Sequence, residues 1–378
     1  MNLILGALPY FLMPFIISFL LVPACKFIGL RLGIYAMENA RTVHHGKIVR
    51  IGGVAIYVAF LLSMTFLWRA DLKLNGILIG GAVIFIGGLL DDIYNLSPKL
   101  KVLFQVTGAL LTLMVGNLSL DTLHIMSLEI SNPIIVKGIS FLWLIGITNA
   151  INLIDGLDGL SSGICTIVTM TIGVLGFFMG RRDICIIALC LSGAILGFLP
   201  YNFHPASIFV GDCGAQFMGF TIAAMSLLGF KTTALITLGL PILVLFIPIS
   251  DTLIAIVRRK MKGQKITEAD RGHLHHILMI KLKLGHRKTV IILYIVTMLF
   301  ALAAILTWFY PKKGALMILV LVIAADIFIE YTGMINPRFH PLLSMCQKLT
   351  GWPKMSDGED PVDSIRREEK EKTKEAAN

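Results

Sequence analysis

Four polar groups interrupt an otherwise apolar chain: Asp91-Asp92, the run from Asn149 to Gly159, Gly211-Asp212, and the histidines His273, His275 and His276. Two adjacent carboxylates cannot both ionise cheaply unless a cation or a donor sits between them. With Lys101 nine residues beyond Asp92, the pair suits divalent-metal phosphate chemistry, in which the metal offsets negative charge on protein and substrate alike. Asn149, Asn152, Asp155 and Asp158 recur every three residues, which places them along one side of a helical turn or a tight loop. Such amides and carboxylates can ligate a hard cation through oxygen and hydrogen-bond a nucleobase or ribose, while Gly156 and Gly159 let the backbone turn sharply or approach a ligand closely.

Gly211-Asp212-Cys213-Gly214 opens another apolar stretch. Glycines around an aspartate at a helix start offer free backbone N–H groups and the positive end of the dipole, a natural phosphate site with Asp212 as a metal ligand. Alone the signal is weak, because aspartate is also an ordinary N-cap. For the segment Asp270-Arg271-Gly272-His273-Leu274-His275-His276 zinc is the first thought, but no cysteine or carboxylate spacing completes a tetrahedral set. In a basic loop, Arg271 and the histidines are expected to grip phosphates or sugar hydroxyls; the plain alternative is a basic surface for anionic lipid headgroups. Asp251 either orients one of these groups or pairs with Arg258 at helical spacing.

The elements that must hold these groups are membrane helices. Of 378 residues, 56% are hydrophobic and 15% charged, more apolar surface than a soluble domain could hide. The apolar residues gather in stretches of about 20, the length that crosses a bilayer as helix. The expected fold is an all-α polytopic membrane protein with about eleven spans, over 8–30, 48–68, 74–92, 99–116, 134–152, 159–180, 184–201, 212–230, 232–257, 289–309 and 314–335. Residues 1–336 read as one transmembrane domain, and residues 337–378 as a charged cytoplasmic tail. The first lysine is Lys26, so no cleavable signal peptide is expected. Six scattered cysteines without a CxxC pair read as small apolar packing residues.

Orientation follows from basic residues in the loops. Arg31, Arg41, Lys47 and Arg50 follow the first span, and a dense basic run from Arg258 to Lys288 follows the ninth. Both loops fall on one side, which is therefore cytoplasmic. The N-terminus is then outside and the C-terminus inside. The same count puts every polar cluster at the cytoplasmic face, and an ionisable group near lipid is a functional hypothesis by default.

In this order the motifs resemble the polyprenyl-phosphate N-acetylhexosamine-1-phosphate transferases. That family includes the bacterial undecaprenyl-phosphate GlcNAc-1-phosphate transferases, the phospho-MurNAc-pentapeptide translocase and the eukaryotic dolichyl-phosphate enzyme. Arg41 to Gly53 looks like its basic stretch ending in Gly-Gly, and Asp91-Asp92 with Lys101 like its aspartate-rich loop. Asn149 to Gly159 matches NxxNxxDGxDGL, Gly211 to Gly214 matches GDxG, and His273 to His276 matches HxHH. The resemblance implies that a polyprenyl phosphate attacks the β-phosphorus of a UDP-sugar and that UMP leaves.

It also implies roles. Asp212 and Asn152 would ligate Mg2+ (with Mn2+ as a substitute), and Asp91 or Asp92 would assist the acceptor phosphate, which Lys101 holds. Asp158 would contact the uracil, Asp155 would support the site, and Arg271 with His273, His275 and His276 would bind pyrophosphate and sugar. Asn149 and Gly156 join the substrate contacts. The implied partners are UDP-GlcNAc, undecaprenyl phosphate, the bilayer of a bacterial plasma membrane and a second copy of the chain as homodimer; no nucleic acid is expected.

The chain departs from the family pattern at Asn95, where many members carry a third aspartate, at Val49 for a common proline, and at Ala215 for a common serine. Ile277-Leu278 follow the histidines where the pentapeptide translocase usually has a third histidine and an aromatic, which favours UDP-GlcNAc as donor. A transporter of anionic metabolites is the rival of another class. Its polar residues should lie near the midplane in two repeated halves, whereas these sit at span ends and show no repeat.

Overall fold

The computed structural model describes residues 2–36, 47–68, 71–120, 122–125, 128–229, 239–261, 263–264, 272–280, 282–335 and 341–350. These fall into two compact units, one ending at Phe246 and the other beginning at Ile247. Both are helical, apart from two small antiparallel ladders in the first.

The first unit runs α1 (Asn2–Leu32), β1 (Tyr35–Ala36), β2 (Ile48–Val49), α2 (Gly53–Leu67), α3 (Leu72–Tyr94), α4 (Pro98–Val115), β3 (Leu123–Ile125), β4 (Leu128–Ile130), α5 (Pro133–Ile154), α6 (Leu160–Phe178), α7 (Arg182–Asn202) and α8 (Gly211–Gly229), and closes with a short helix Gly239–Val244. Local chemistry sets the boundaries. The Asp71 carboxylate accepts from Leu74 N at 2.8 Å and starts α3, and Asn95 ends it in the left-handed region at φ 49°. Pro98 and Pro133 open α4 and α5, where a missing N–H costs nothing.

Among the described residues, eight helices are long and apolar enough to cross a membrane. They are Gly6–Leu32, α3 to α7, and, in the second unit, His286–Phe309 and Pro311–Thr332. Three expected spans differ. Residues 48–52 are drawn into a ladder with the chain before α8, so the expected span 48–68 is a 15-residue helix, α2. At 1.5 Å per residue such a helix is about 22 Å long, short of the roughly 30 Å of hydrocarbon. The stretch 232–257 is divided between Gly239–Val244 and Phe246–Met261, with residues 230–238 outside the described residues. The expected span 212–230 is α8, buried along nearly its whole length, with Asp212 and Gln216 in its first turns. The long helices carry the lipid-facing surface: only 6% of the apolar window of Pro311–Thr332 is buried, so a bilayer must cover the rest.

Small residues let the helices of the first unit approach closely, as bilayer packing requires. Gly76 meets Gly116, Gly80 meets Gly108 and Thr112, and Thr112 Oγ1 donates to Gly76 O at 3.1 Å, joining α3 to α4. Gly88 of α3 lies against the backbone of Cys213, so α3 and α8 touch where both carry acids. Tyr57 stacks on Phe85 at 3.9 Å, and Phe60 and Phe217 complete the aromatic core between α2, α3 and α8. The five cysteines described are free, and four of them are buried, as packing residues would be.

In the second unit Ile254, Ile277 and Met334 form a small core, and Arg258 Nη1 donates to Met334 O at 3.1 Å. Glu330 accepts from the backbone of Leu342 and Leu343 and so caps the helix Pro341–Thr350, which lies within the expected tail.

Candidate active site

The C-terminal end of α3, the first turn of α4 and the first turn of α8 meet in an acidic centre. The Lys101 ammonium pairs with Asp91 and also reaches Asp212 Oδ2 at 3.3 Å. Asp91 Oδ1 accepts from Leu96 N at 2.8 Å, which folds the turn after α3 back over the site. Asp92 has other partners. Its two oxygens accept from Asp212 N at 2.9 Å and Cys213 N at 3.0 Å, so it caps α8 from another helix, and Arg50 Nη2 lies 3.9 Å from Oδ1. The Asp92 side chain is 0% exposed, whereas Lys101 and Asp212 are 35% and 23% exposed. A soluble reactant can therefore reach Lys101 and Asp212 but not Asp92. Two adjacent aspartates alike in sequence thus face different surroundings.

The chain before α2 ties this centre to α8. Phe209 N donates to Val49 O, Gly52 N to Phe209 O and Gly53 N to Val210 O at 2.8–2.9 Å, so Arg50 is held beside the α8 entrance. Arg41, also in that basic stretch, lies outside the described residues.

The every-third-residue run splits at the end of α5. Asn149 and Asn152 lie on the helix, Asp155 is its C-cap, and Asp158 sits in the turn that Gly159 closes at φ 79°. Gly156 is exposed in that turn. Asn149 Nδ2 donates to Gln105 Oε1 and to Ile145 O, both at 2.9 Å. Asn152 Oδ1 is buried and has no hydrogen-bond partner among the described residues. Asp155 Oδ1 accepts from Ser161 Oγ at 2.5 Å; burial pushes its carboxyl up to about 7, with Ser161 opposing and the Asp92 carboxylate adding. Asp158 Oδ2 lies 2.7 Å from His204 Nδ1 and accepts from Ala206 N at 3.1 Å. Asn202 pins the turn, accepting from Gly159 N and Ser162 Oγ and donating to Ile208 O.

Gln105, Ser161, Asn202, His204 and Gln216, whose Oε1 accepts from Gln105 Nε2, belong to the site's framework, and sequence reasoning did not single them out; Arg50 had entered only as a basic loop residue that sets orientation and as part of the Arg41–Gly53 stretch. A signal existed for Gln105 and Gln216, since an amide inside a membrane-length apolar stretch is costly. None existed for His204, whose partner is 46 residues away. The donor types fit a hard divalent cation: the Asn152 amide oxygen, buried and without a hydrogen-bond partner among the described residues, and the carboxylates beside Lys101 are oxygen ligands of the kind such an ion takes.

The histidine segment lies in the second unit. Asp251 Oδ2 is 2.8 Å from His273 Nδ1, and Oδ1 accepts from Leu274 N at 2.8 Å, so Asp251 holds the ring of His273 and starts the helix Leu274–Ile280. His275 stacks beside His273 with centroids 6.0 Å apart and touches His276 at 4.3 Å. Arg271 lies outside the described residues. Burial, reinforced by His276, pushes His275 from 6.5 down to about 3. Between those values the unfolded segment takes up a proton that the folded one refuses, so the stabilisation is complete above pH 6.5 and drains away as pH falls toward 3. We expect the protection factors over 274–280, which correct for the slower intrinsic exchange at lower pH, to fall at pH 5 relative to pH 7.5, and to fall less in His275→Gln. An equal fall in both proteins would remove His275 as the cause.

Comparison with known proteins matches residues 74–230 to "Glycosyl transferase family 4". The chain is 36% identical to a probable undecaprenyl-phosphate N-acetylglucosaminyl 1-phosphate transferase of Bacillus subtilis, over 89% of this chain and 96% of the relative. It is 31% identical to the decaprenyl-phosphate N-acetylglucosaminephosphotransferase of Mycobacterium tuberculosis, over 82% and 85%. With the phospho-N-acetylmuramoyl-pentapeptide-transferase of Staphylococcus aureus the identity is 28%, over 72% and 90%.

Proposed function

The chain belongs to glycosyl transferase family 4 and is a multi-pass membrane enzyme that transfers GlcNAc 1-phosphate to a polyprenyl phosphate; we propose that its donor is UDP-GlcNAc, its acceptor undecaprenyl phosphate and its metal Mg2+. Family membership implies a divalent-metal-dependent transferase that performs the first lipid-linked step of a glycan pathway. The observation that carries the mechanism is Lys101 lodged between Asp91 and Asp212 at the start of α8.

Phosphoryl transfer asks a protein for positioning and charge neutralisation, with little covalent work. An acceptor phosphate oxygen forms the new bond to the β-phosphorus, and the bond from that phosphorus to the bridging oxygen breaks. UMP leaves with the bridging oxygen. The acceptor phosphate is already ionised at neutral pH, so no strong base is required. Lys101 holds that phosphate, and Asp91 keeps the ammonium charged and aimed. Asp92 builds the α8 entrance and leaves the acceptor side to Asp91. Asp212 and the unpartnered oxygen of Asn152 would hold the metal, which when bound offsets the charge of the diphosphate. Asp158, held by His204, and the Gly156 turn form the nucleoside side, supported by Asp155. Arg271 and the histidine segment take the pyrophosphate and sugar.

The proposed topology keeps eleven crossings, the eight membrane-length helices being joined by the short α2, the buried α8 and the interrupted stretch 239–261, with the N-terminus outside and the site on the cytoplasmic face where the nucleotide is found. The absence of a third consecutive histidine after His276 supports UDP-GlcNAc over the muramoyl-pentapeptide donor.

Purified protein with Mg2+, undecaprenyl phosphate and radiolabelled UDP-GlcNAc should yield a lipid product and UMP, and UDP-MurNAc-pentapeptide should yield neither. Turnover of the second donor alone would overturn the donor assignment, and turnover of neither would overturn the transferase reading.

A further inference from the structure

We infer that Gln105, Asn149 and Gln216 form an amide clasp that sets the register of α4, α5 and α8 for phosphoryl transfer, an inference that rests on the transferase reading above. Gln105 Nε2 donates to Asn149 Oδ1 at 3.2 Å and to Gln216 Oε1 at 3.1 Å, and Asn149 Nδ2 donates back to Gln105 Oε1 at 2.9 Å. Gln105 and Gln216 are each only 4% exposed. One side chain on α4 therefore bonds to both α5 and α8.

The placement of the three amides is what links them to the reaction. Gln105 follows Lys101 by four residues, Asn149 precedes Asn152 by three, and Gln216 follows Asp212 by four. On an α-helix each of these spacings puts the two residues on one face, one turn apart. The clasp is thus the layer directly beneath the three groups assigned to the acceptor phosphate and the metal. Sliding any one helix by a residue displaces its side chains by about 1.5 Å along the axis and leaves buried amide groups unpaired, which costs more than a formed bond contributes. The three bonds form together in one register, the one that brings Lys101 to Asp212.

Stability alone is a poor account of the cluster. Hydrogen bonds between helices in a bilayer contribute on average only about 0.6 kcal/mol each. Geometry is the larger stake, because misplacement of about 1 Å far from the chemistry can cost on the order of 100-fold in rate. Asn149, placed among the substrate contacts by the family resemblance, has its amide engaged with Gln105 and Ile145 O, so it is a positioning residue.

The test uses full-length protein and the UDP-GlcNAc assay above, with the wild type run first. If the wild type shows no Mg2+-dependent transfer, the transferase reading fails, independently of the clasp. In an active background, the triple variant Gln105→Met, Asn149→Leu, Gln216→Met removes every polar atom of the clasp at similar volume, which can be nearly neutral for stability. We expect its melting temperature to hold while kcat falls about 10–100-fold and the Mg2+ concentration for half-maximal rate rises, with KM for UDP-GlcNAc changed less than twofold. A stable triple variant with wild-type kcat and Mg2+ dependence overturns the inference. Should the triple variant not fold, the exchange Gln105→Asn with Asn149→Gln preserves the pair's combined length. It should recover most of the kcat lost in Gln105→Asn alone; no recovery overturns the inference as well.

Discussion

Asp212→Ala is expected to lower kcat about 1,000-fold, because metal-based charge stabilisation is worth several kcal/mol and each 1.4 kcal/mol is a factor of ten. The substitution removes a carboxylate that faces Lys101 from across the site. Its fold cost should be small: the α8 entrance is capped by Asp92 through the backbone N–H groups of residues 212 and 213, and these remain. Melting temperature should therefore stay close to wild type while Mg2+-stimulated turnover disappears. A variant that keeps its Mg2+-dependent rate would sink the assignment of Asp212 to the metal.

Gly211→Ala should do comparable damage by a different route. Gly211 stands at φ 74°, a conformation that costs an L-residue about 1–2 kcal/mol. A Cβ there would also run into Arg50 O and Asp92 Oδ2. Both neighbours have fixed positions, Arg50 by the ladder to Phe209 and Val210, and Asp92 by its two bonds to the start of α8. Overpacking of this kind typically adds about 1–3 kcal/mol. Relief by displacing Asp92 uncaps α8 and moves Asp212, so melting temperature and kcat should fall together. That joint loss separates this variant from Asp212→Ala, which should lose kcat alone. Wild-type stability and rate in Gly211→Ala would show that the entrance to α8 is not as tightly held as its contacts require.

Much of the chemistry was legible because residue type carries it. Carboxylates, amides and a lysine at the ends of apolar stretches are costly in a bilayer and persist for a purpose, and their order along the chain carried the family resemblance. The eight membrane-length helices were legible for a similar reason, since length and hydropathy are local properties. What misled was also local. Residues 48–52 are apolar enough for a span, yet their backbone pairs with residues 208–210 far along the chain. Hydropathy cannot register a pairing of that kind. In the same way, the every-third spacing from Asn149 to Asp158 implied one shared face, whereas the helix ends at Ile154 and sends Asp155 and Asp158 to different partners.

By itself, then, the order of residues determined that this is a helical membrane enzyme with acids, amides and a lysine gathered at helix ends. Those properties depend on the transfer energetics of single side chains and short windows. Only the tertiary structure decided that Asp92 caps α8 while Asp91 faces Lys101, that Asn149 belongs with Gln105, and that Asp158 is held by His204. The contacts that Asp92 and Lys101 make with the start of α8 join residues 111 to 121 apart in sequence, and a contact at that separation exists only once the helices have docked. The physical reason is that a carboxylate's chemistry is intrinsic to it, but its role depends on which donors the fold places within hydrogen-bonding distance.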